Sequence, residues 1–255
     1  HFPTGDGATA HAWFYPPANG GFEGPSDAAP PVIAMVHGGP TSDAIPFFSL
    51  TRQFWTSRGF ALVDVNYRGS TGFGTGYRNL LDGQWGVVDV EDTIAAVRWL
   101  GEQGLVDPAR AAITGGSAGG FTVLLCLARG DVFAVGASSY GVADLGALAS
   151  DTHKFESRYL DRLIGPWPEA RAVYDERSPI NHLDALDTPL IVFQGSEDAV
   201  VPPNQSEMVV EALRAKGVEC EYHLYEGEGH GFRRADTIEH QLTHQLAFFQ
   251  RILGL

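Results

Sequence analysis

Cysteine is scarce: Cys126 and Cys220 are the only two in a chain of 255 residues, and they stand in distant segments. A disulfide framework is excluded. Neither Cys-x-x-Cys nor a compact Cys/His cluster occurs, which argues against a structural zinc. Positive charge is short as well, with 17 Lys plus Arg against 31 Asp plus Glu and a net charge of −14. Such a field repels phosphate backbones and anionic lipid surfaces, so neither nucleic acid nor a membrane is an expected partner. Long apolar runs are missing too. Even PPVIAMVHGG and AAITGGSAGGFTVLLCLARG are interrupted by Gly, Pro or charge, short of the roughly 20 apolar residues that span a bilayer. The residues from His1 onward carry no positively charged apolar leader. A soluble, cytoplasmic protein is the expectation.

What is present is apolar material: 44% of the residues are hydrophobic and 19% charged, enough for one sizeable core. PVIAMV (31–36), FALVDVNY (60–67), AAIT (111–114), AVGASSYG (134–141) and PLIVFQG (189–195) read as near-continuous apolar strands, and CEYHLYEG (220–227) as an alternating one. Helical periodicity separates them at 47–58, 87–104, 121–129, 206–217 and 237–253. Residues 144–180 are more polar, with Trp167 between two prolines, and read as short helices and loops inserted over one end of the sheet. The alternation predicts an α/β domain with a mainly parallel central sheet and helices on both faces. Residues 1–30 differ: ATAHAWFYPP (8–17) alternates like an antiparallel edge strand, and NGGFEGPSDAAPP (19–31) is a Gly/Pro linker. The expected division is 1–30 as edge strands and linker of the domain and 31–255 as its core.

Gly115-Gly116-Ser117-Ala118-Gly119 fits Gly-x-Ser-x-Gly between a short strand and an apolar helix. That is where a nucleophilic serine on a sharp strand-to-helix turn is expected; the bland alternative is a plain glycine-rich turn. A serine hydroxyl needs a histidine base and a carboxylate that orients it. In the α/β-hydrolase fold these follow later strands in the order Ser, acid, His. The strand 189–195 leads to Ser196-Glu197-Asp198, and 220–227 leads to Gly229-His230. Asp198 and His230 are therefore the candidate acid and base, with Glu197 as the competing carboxylate. His223 lies within a strand and reads as packed or surface-facing. His240 and His244 share a helix face at i, i+4, which resembles half a metal site but reads as a solvated face. For the oxyanion, the N–H of Ala118 and that of Gly39 in His37-Gly38-Gly39-Pro40 are the expected donors. The loop 69–76 fails as a dinucleotide fingerprint on its spacing. Arg68, Asp89, Glu91 and Asp92 read as a structural polar network or a solvated helix face.

The blocks HGGPTS (37–42), NYRGSTGFG (66–74), GGSAGG (115–120), SPINH (178–182), GSEDAVVPPNQS (195–206) and GEGHGF (227–232) together resemble the catalytic domain of the prolyl oligopeptidase family of serine peptidases, on its acylaminoacyl-peptidase and aminopeptidase side. The resemblance implies Ser117, Asp198 and His230 as the triad, Gly39 and Ala118 as the oxyanion hole, no metal or organic cofactor, and a short peptide or acyl-peptide substrate. It further implies an N-terminal β-propeller that caps such sites. No propeller sequence is present in this chain, and His1 looks like the junction at which one would end. The chain is thus expected to be the C-terminal half of a longer enzyme, with that propeller as partner and an oligomer left open. Val200 departs from the pattern, since several members carry Arg or Asn there to hold a substrate carbonyl. Val200 and Tyr140 are the candidate substrate-pocket residues. A carboxylesterase and a non-catalytic hydrolase-like binding domain are the rival readings, because fold does not decide substrate.

Overall fold

A computed structural model describes residues 1–151 and 158–255. Its strands are β1 (Phe2–Pro3), β2 (Thr9–Tyr15), β3 (Pro31–Val36), β4 (Ala61–Asn66), β5 (Asp107–Gly116), β6 (Val135–Ser139), β7 (Leu190–Gly195) and β8 (Cys220–Tyr225). The helices are α1 (Leu50–Thr56), α2 (Gly74–Arg78), α3 (Val88–Glu102), α4 (Ala118–Arg129), α5 (Leu145–Asp151), α6 (Tyr159–Leu163), α7 (Arg171–Arg177), α8 (Pro203–Lys216) and α9 (Ala235–Leu253). The strands form one sheet in the order β1-β2-β4-β3-β5-β6-β7-β8. From β4 to β8 every pairing is parallel, whereas β1 and β2 join antiparallel. The antiparallel strand read at 8–17 is therefore second from the edge, with the two-residue β1 outside it.

Successive strand residues serve opposite faces. Ala34, Val63, Val65 and Ile113 point into one core layer with Val97, Leu124 and Leu213 from α3, α4 and α8. Ile33, Leu62, Ala112, Ile191 and Phe193 point into the other, with Trp55 of α1 and Phe248 and Phe249 of α9. Both faces are covered, which is why these strands read as apolar runs rather than alternations. Local signals set several helix ends: Ser49 Oγ accepts from the Arg52 N–H ahead of α1, and Gly217 (φ +75°) stops α8 in the left-handed conformation. The polar insertion contributes α5, α6 and α7, with residues 152–157 of it outside the described residues. No helix among the described residues is long and apolar enough to cross a membrane.

Parallel strands deliver their following loops to one edge. The pairs Val36↔Val65, Val36↔Gly115, Gly116↔Ser139 and Ser139↔Phe193 keep the carboxyl ends of β3 to β7 level. The loops after β3, β5, β7 and β8 consequently meet over a short stretch of that edge.

Candidate active site

Ser117 is the pivot between β5 and α4, at φ 57°, ψ −121°. This conformation is strained for a residue with a side chain and persists only when its surroundings hold it. Here the Ser117 N–H donates to Ser139 O at 3.0 Å and Ser117 O accepts from the Phe121 N–H at 3.0 Å. The turn is tight enough that a β-carbon at Gly119 would come within 2.2 Å of Val36 O, and one at Gly115 within 2.6 Å of the Gly119 carbonyl. The two motif glycines are steric requirements of the crossing.

The Ser117 hydroxyl donates to His230 Nε2 at 2.9 Å, and His230 Nδ1–H donates to Asp198 Oδ2 at 2.8 Å. The tautomer follows from the carboxylate, which can only accept. Asp198 has a fully buried side chain, and its Oδ1 accepts from the N–H groups of Val200 and Val201, each at 2.9 Å. Burial alone would raise its pKa. The hydrogen bonds from His230 and from the two backbone N–H groups outweigh that and hold the carboxyl below its usual range. Glu197, the competing carboxylate, is exposed, and among the described residues only its backbone is engaged, with its N–H donating to Glu228 O at 2.9 Å. Glu228 braces the loop that carries His230: it is buried and accepts from the N–H groups of Arg233 and Arg234.

Tyr140 stands at the carboxyl end of β6 with φ 39° and meets the His230 ring edge-on at 4.9 Å between centroids. Val200 is 42% exposed beside Asp198 and uses its backbone N–H to hold the carboxylate. His223, His240 and His244 form a ring cluster of their own that makes no contact with Ser117 or Asp198 among the described residues. His223 stacks on Phe193, while His240 and His244 stack on each other at 3.7 Å with His223 edge-on to both. Among the described residues no group of three or more His, Cys, Asp or Glu side chains is arranged to hold a metal ion.

Gly39 has φ +115°, and a β-carbon there would lie 2.8 Å from Ser42 Cβ. Only glycine fits this bend. Its loop lies against the nucleophile, since a β-carbon on Gly38 would sit 3.5 Å from Ser117 Cβ. Three side chains to which the sequence pattern assigns no role of their own fasten it. Tyr159 Oη donates to Gly39 O at 2.9 Å, Tyr67 Oη donates to Pro40 O at 2.6 Å, and His37 stacks on Tyr67 with Nε2 2.8 Å from Ser70 Oγ. Burial lowers the His37 pKa, which favours the neutral ring in that contact. The NYRGS block was the available signal for Tyr67 and Ser70. Tyr159 has none, being 120 positions from Gly39.

A serine at a strained strand-to-helix turn, a histidine and a carboxylate from later strand ends and a mainly parallel sheet define an α/β-hydrolase. The model of the prolyl oligopeptidase family matches residues 46–255. The chain belongs to that family. It is 34% identical over 221 residues to dipeptidyl aminopeptidase BIII of Pseudoxanthomonas mexicana, covering 84% of this chain and 32% of the relative. To the acylamino-acid-releasing enzyme of Arabidopsis thaliana it is 31% identical, covering 81% of this chain and 28% of that protein. A solved Mycobacterium tuberculosis puromycin-hydrolyzing peptidase superposes with a TM-score of 0.95 at 47% identity, over 98% of this chain and 38% of the other. The chain thus spans about a third of the length of the relatives it matches.

Proposed function

We propose that this chain is the catalytic portion of a serine peptidase that cleaves short peptides near the N-terminus, of aminopeptidase or acylaminoacyl-peptidase type. The observation that carries the reading is the unbroken relay Ser117 Oγ–His230 Nε2, His230 Nδ1–Asp198 Oδ2, with distances of 2.9 and 2.8 Å. In the proposed reaction Ser117 Oγ attacks the scissile carbonyl while His230 Nε2 takes its proton, and Asp198 stabilises the imidazolium that forms. The carbonyl oxygen becomes an oxyanion facing the N–H groups of Gly39 and Ala118, where loss of one donor costs about 10²- to 10³-fold in rate. Collapse breaks the C–N bond, His230 returns the proton to the leaving amine, and water repeats the sequence on the acyl-enzyme. No cofactor enters these steps. Tyr140 and Val200, beside His230 and Asp198, are the proposed walls for the substrate.

The reading extends to the parts around the site. Residues 1–30 are assigned to the hydrolase domain with 31–255, supported by β1 and β2 lengthening its sheet. A propeller preceding His1 in the same protein is the proposed partner, in keeping with the third of its relatives' length that this chain covers. A cytoplasmic location is proposed, supported by two free cysteines. The names of the relatives favour a free or acylated amino end in the substrate. The test compares hydrolysis of aminoacyl-anilides, acyl-aminoacyl-anilides and short acyl esters. Turnover of at least one anilide is expected; turnover of the esters alone would make the chain a carboxylesterase.

A further inference from the structure

A cleft of about 290 Å³ lies against the oxyanion loop on the side of the polar insertion, lined by Arg78, Asp82, Arg158, Arg162, Tyr159 and Thr41. Three guanidiniums converge in a chain of net charge −14. Two of them are occupied. Arg162 forks onto Asp82 at 2.7 and 2.9 Å, and Arg158, its side chain 87% exposed, pairs with Asp161 at 2.8 Å. Arg78 ends α2 half-buried and makes no hydrogen bond or ion pair with any described residue. Among the described residues the cleft therefore holds one positive charge in excess.

Tyr159 cannot supply the missing partner. Its hydroxyl donates to Gly39 O at 2.9 Å and accepts from the Thr41 N–H at 3.3 Å, with Thr41 Oγ1 at 2.6 Å as well. Its role is to make the cleft and the oxyanion loop a single unit. Gly38 of the same loop adjoins Ser117, and Gly39 O accepts from Tyr159, which lines the cleft. Residues of an extended substrate advance by about 3.3–3.6 Å each, so two or three of them extend about 7–11 Å from the scissile bond. A planar guanidinium recognises a carboxylate by two parallel hydrogen bonds.

We propose that Arg78 and its cleft receive a carboxylate of the substrate, which makes short anionic peptides the preferred class. The inference rests on the serine peptidase reading above. Two sources share this chemistry: the C-terminal carboxylate of a short leaving peptide, and an Asp or Glu side chain on the residue that gives the acyl group.

The test measures kcat/KM for matched tripeptides as free acids and as C-terminal amides, and for matched anilides with Glu or Gln as acyl donor. Each ratio is taken in the wild type, in Arg78→Met, and in Arg98→Met, which removes an exposed charge paired with Asp131 elsewhere on the surface. The wild type is expected to favour the acid in one of the two series by about fivefold, the scale of a partly exposed charge-assisted contact. Arg78→Met should bring that ratio to about one, and Arg98→Met should leave it in place. The series that responds names the source. Wild-type ratios of one in both series, or a preference that survives Arg78→Met, overturn the inference. Failure to cleave any tripeptide or anilide would instead overturn the peptidase reading on which it rests.

Discussion

Two glycine-rich turns stand at the ends of the parallel strands that flank β3, Gly69-Ser70-Thr71-Gly72 after β4 and Gly115-Gly116-Ser117-Ala118-Gly119 where β5 gives way to α4, and they have opposite fates. After β4 every charge is answered from within. Arg68 Nε donates to both oxygens of Asp92 at 3.0 and 3.1 Å, its Nη2 donates to Asp92 Oδ1 at 2.8 Å and Glu91 at 2.9 Å, and its N–H donates to Asp92 Oδ2 at 2.7 Å. Thr4 Oγ1 completes the shell around Asp92 at 2.6 Å. After β5 the strained Ser117 keeps its hydroxyl for His230 alone. Glycine content is alike in the two turns. What separates a structural turn from a reactive one is whether the protein satisfies the polar groups or leaves one aimed at a substrate.

That contrast breaks if the two turns respond alike to mutation. Ser117→Ala should lower turnover of an anilide on the order of 10⁴- to 10⁶-fold while leaving the urea midpoint near the wild-type value, because the helix behind it stays packed by Phe121, Leu124 and Leu125. Arg68→Met should do the reverse in kind, destabilising the fold by about 3–5 kcal/mol, since it strands the buried Asp92 carboxylate. If Ser117→Ala costs stability instead, or Arg68→Met lowers activity without changing the urea midpoint, the distinction between the turns fails.

Asp89, one turn of α3 ahead of Asp92, sharpens the contrast on a smaller scale. It is fully buried and accepts from the Gly86 N–H at 2.6 Å and from Thr122 Oγ1 at 2.6 Å. Burial outweighs these bonds and raises its carboxyl to about 6. A folded-state pKa above the unfolded value means that the native protein holds the proton more tightly. The stabilisation this provides is present below about pH 4 and is lost as pH rises through about 6. Asp89→Asn removes the titration, so the stability difference between wild type and variant should shift toward the variant by about 2–3 kcal/mol from pH 4 to pH 7. A difference that does not change with pH would contradict the assignment.

The parallel sheet and the three residues of the relay were legible because their signals are local. Each is announced within a few positions of a strand end: the glycines around Ser117, the Ser-Glu-Asp after β7 and the Gly-His after β8. α2 was not legible, since Gly74 and Gly76 are poor helix formers. Tertiary contact supports it instead, with His11 stacked on Phe73 at 4.3 Å and meeting Tyr77 edge-on at 5.0 Å. The apolar pattern marks only four residues of β5, which runs over Asp107–Gly116, its early part tied to β3 only through Pro31↔Asp107. Tyr159, Arg78 and Thr41 meet across long stretches of chain, and no periodicity within any one segment encodes such a meeting. The reading of Arg68, Glu91 and Asp92 as a polar network matches the ion pairs found, while Asp89 stands apart from them on Gly86 and Thr122.

The central claim is that Ser117 is a nucleophile activated through His230, and reaction with a fluorophosphonate followed by peptide mapping tests it most directly. One adduct is expected on the peptide containing Ser117, with its rate of formation sharply reduced in His230→Ala and little changed in His223→Ala. No adduct, an adduct on another residue, or labelling indifferent to His230→Ala would contradict the account and favour a hydrolase-shaped domain that binds without catalysing.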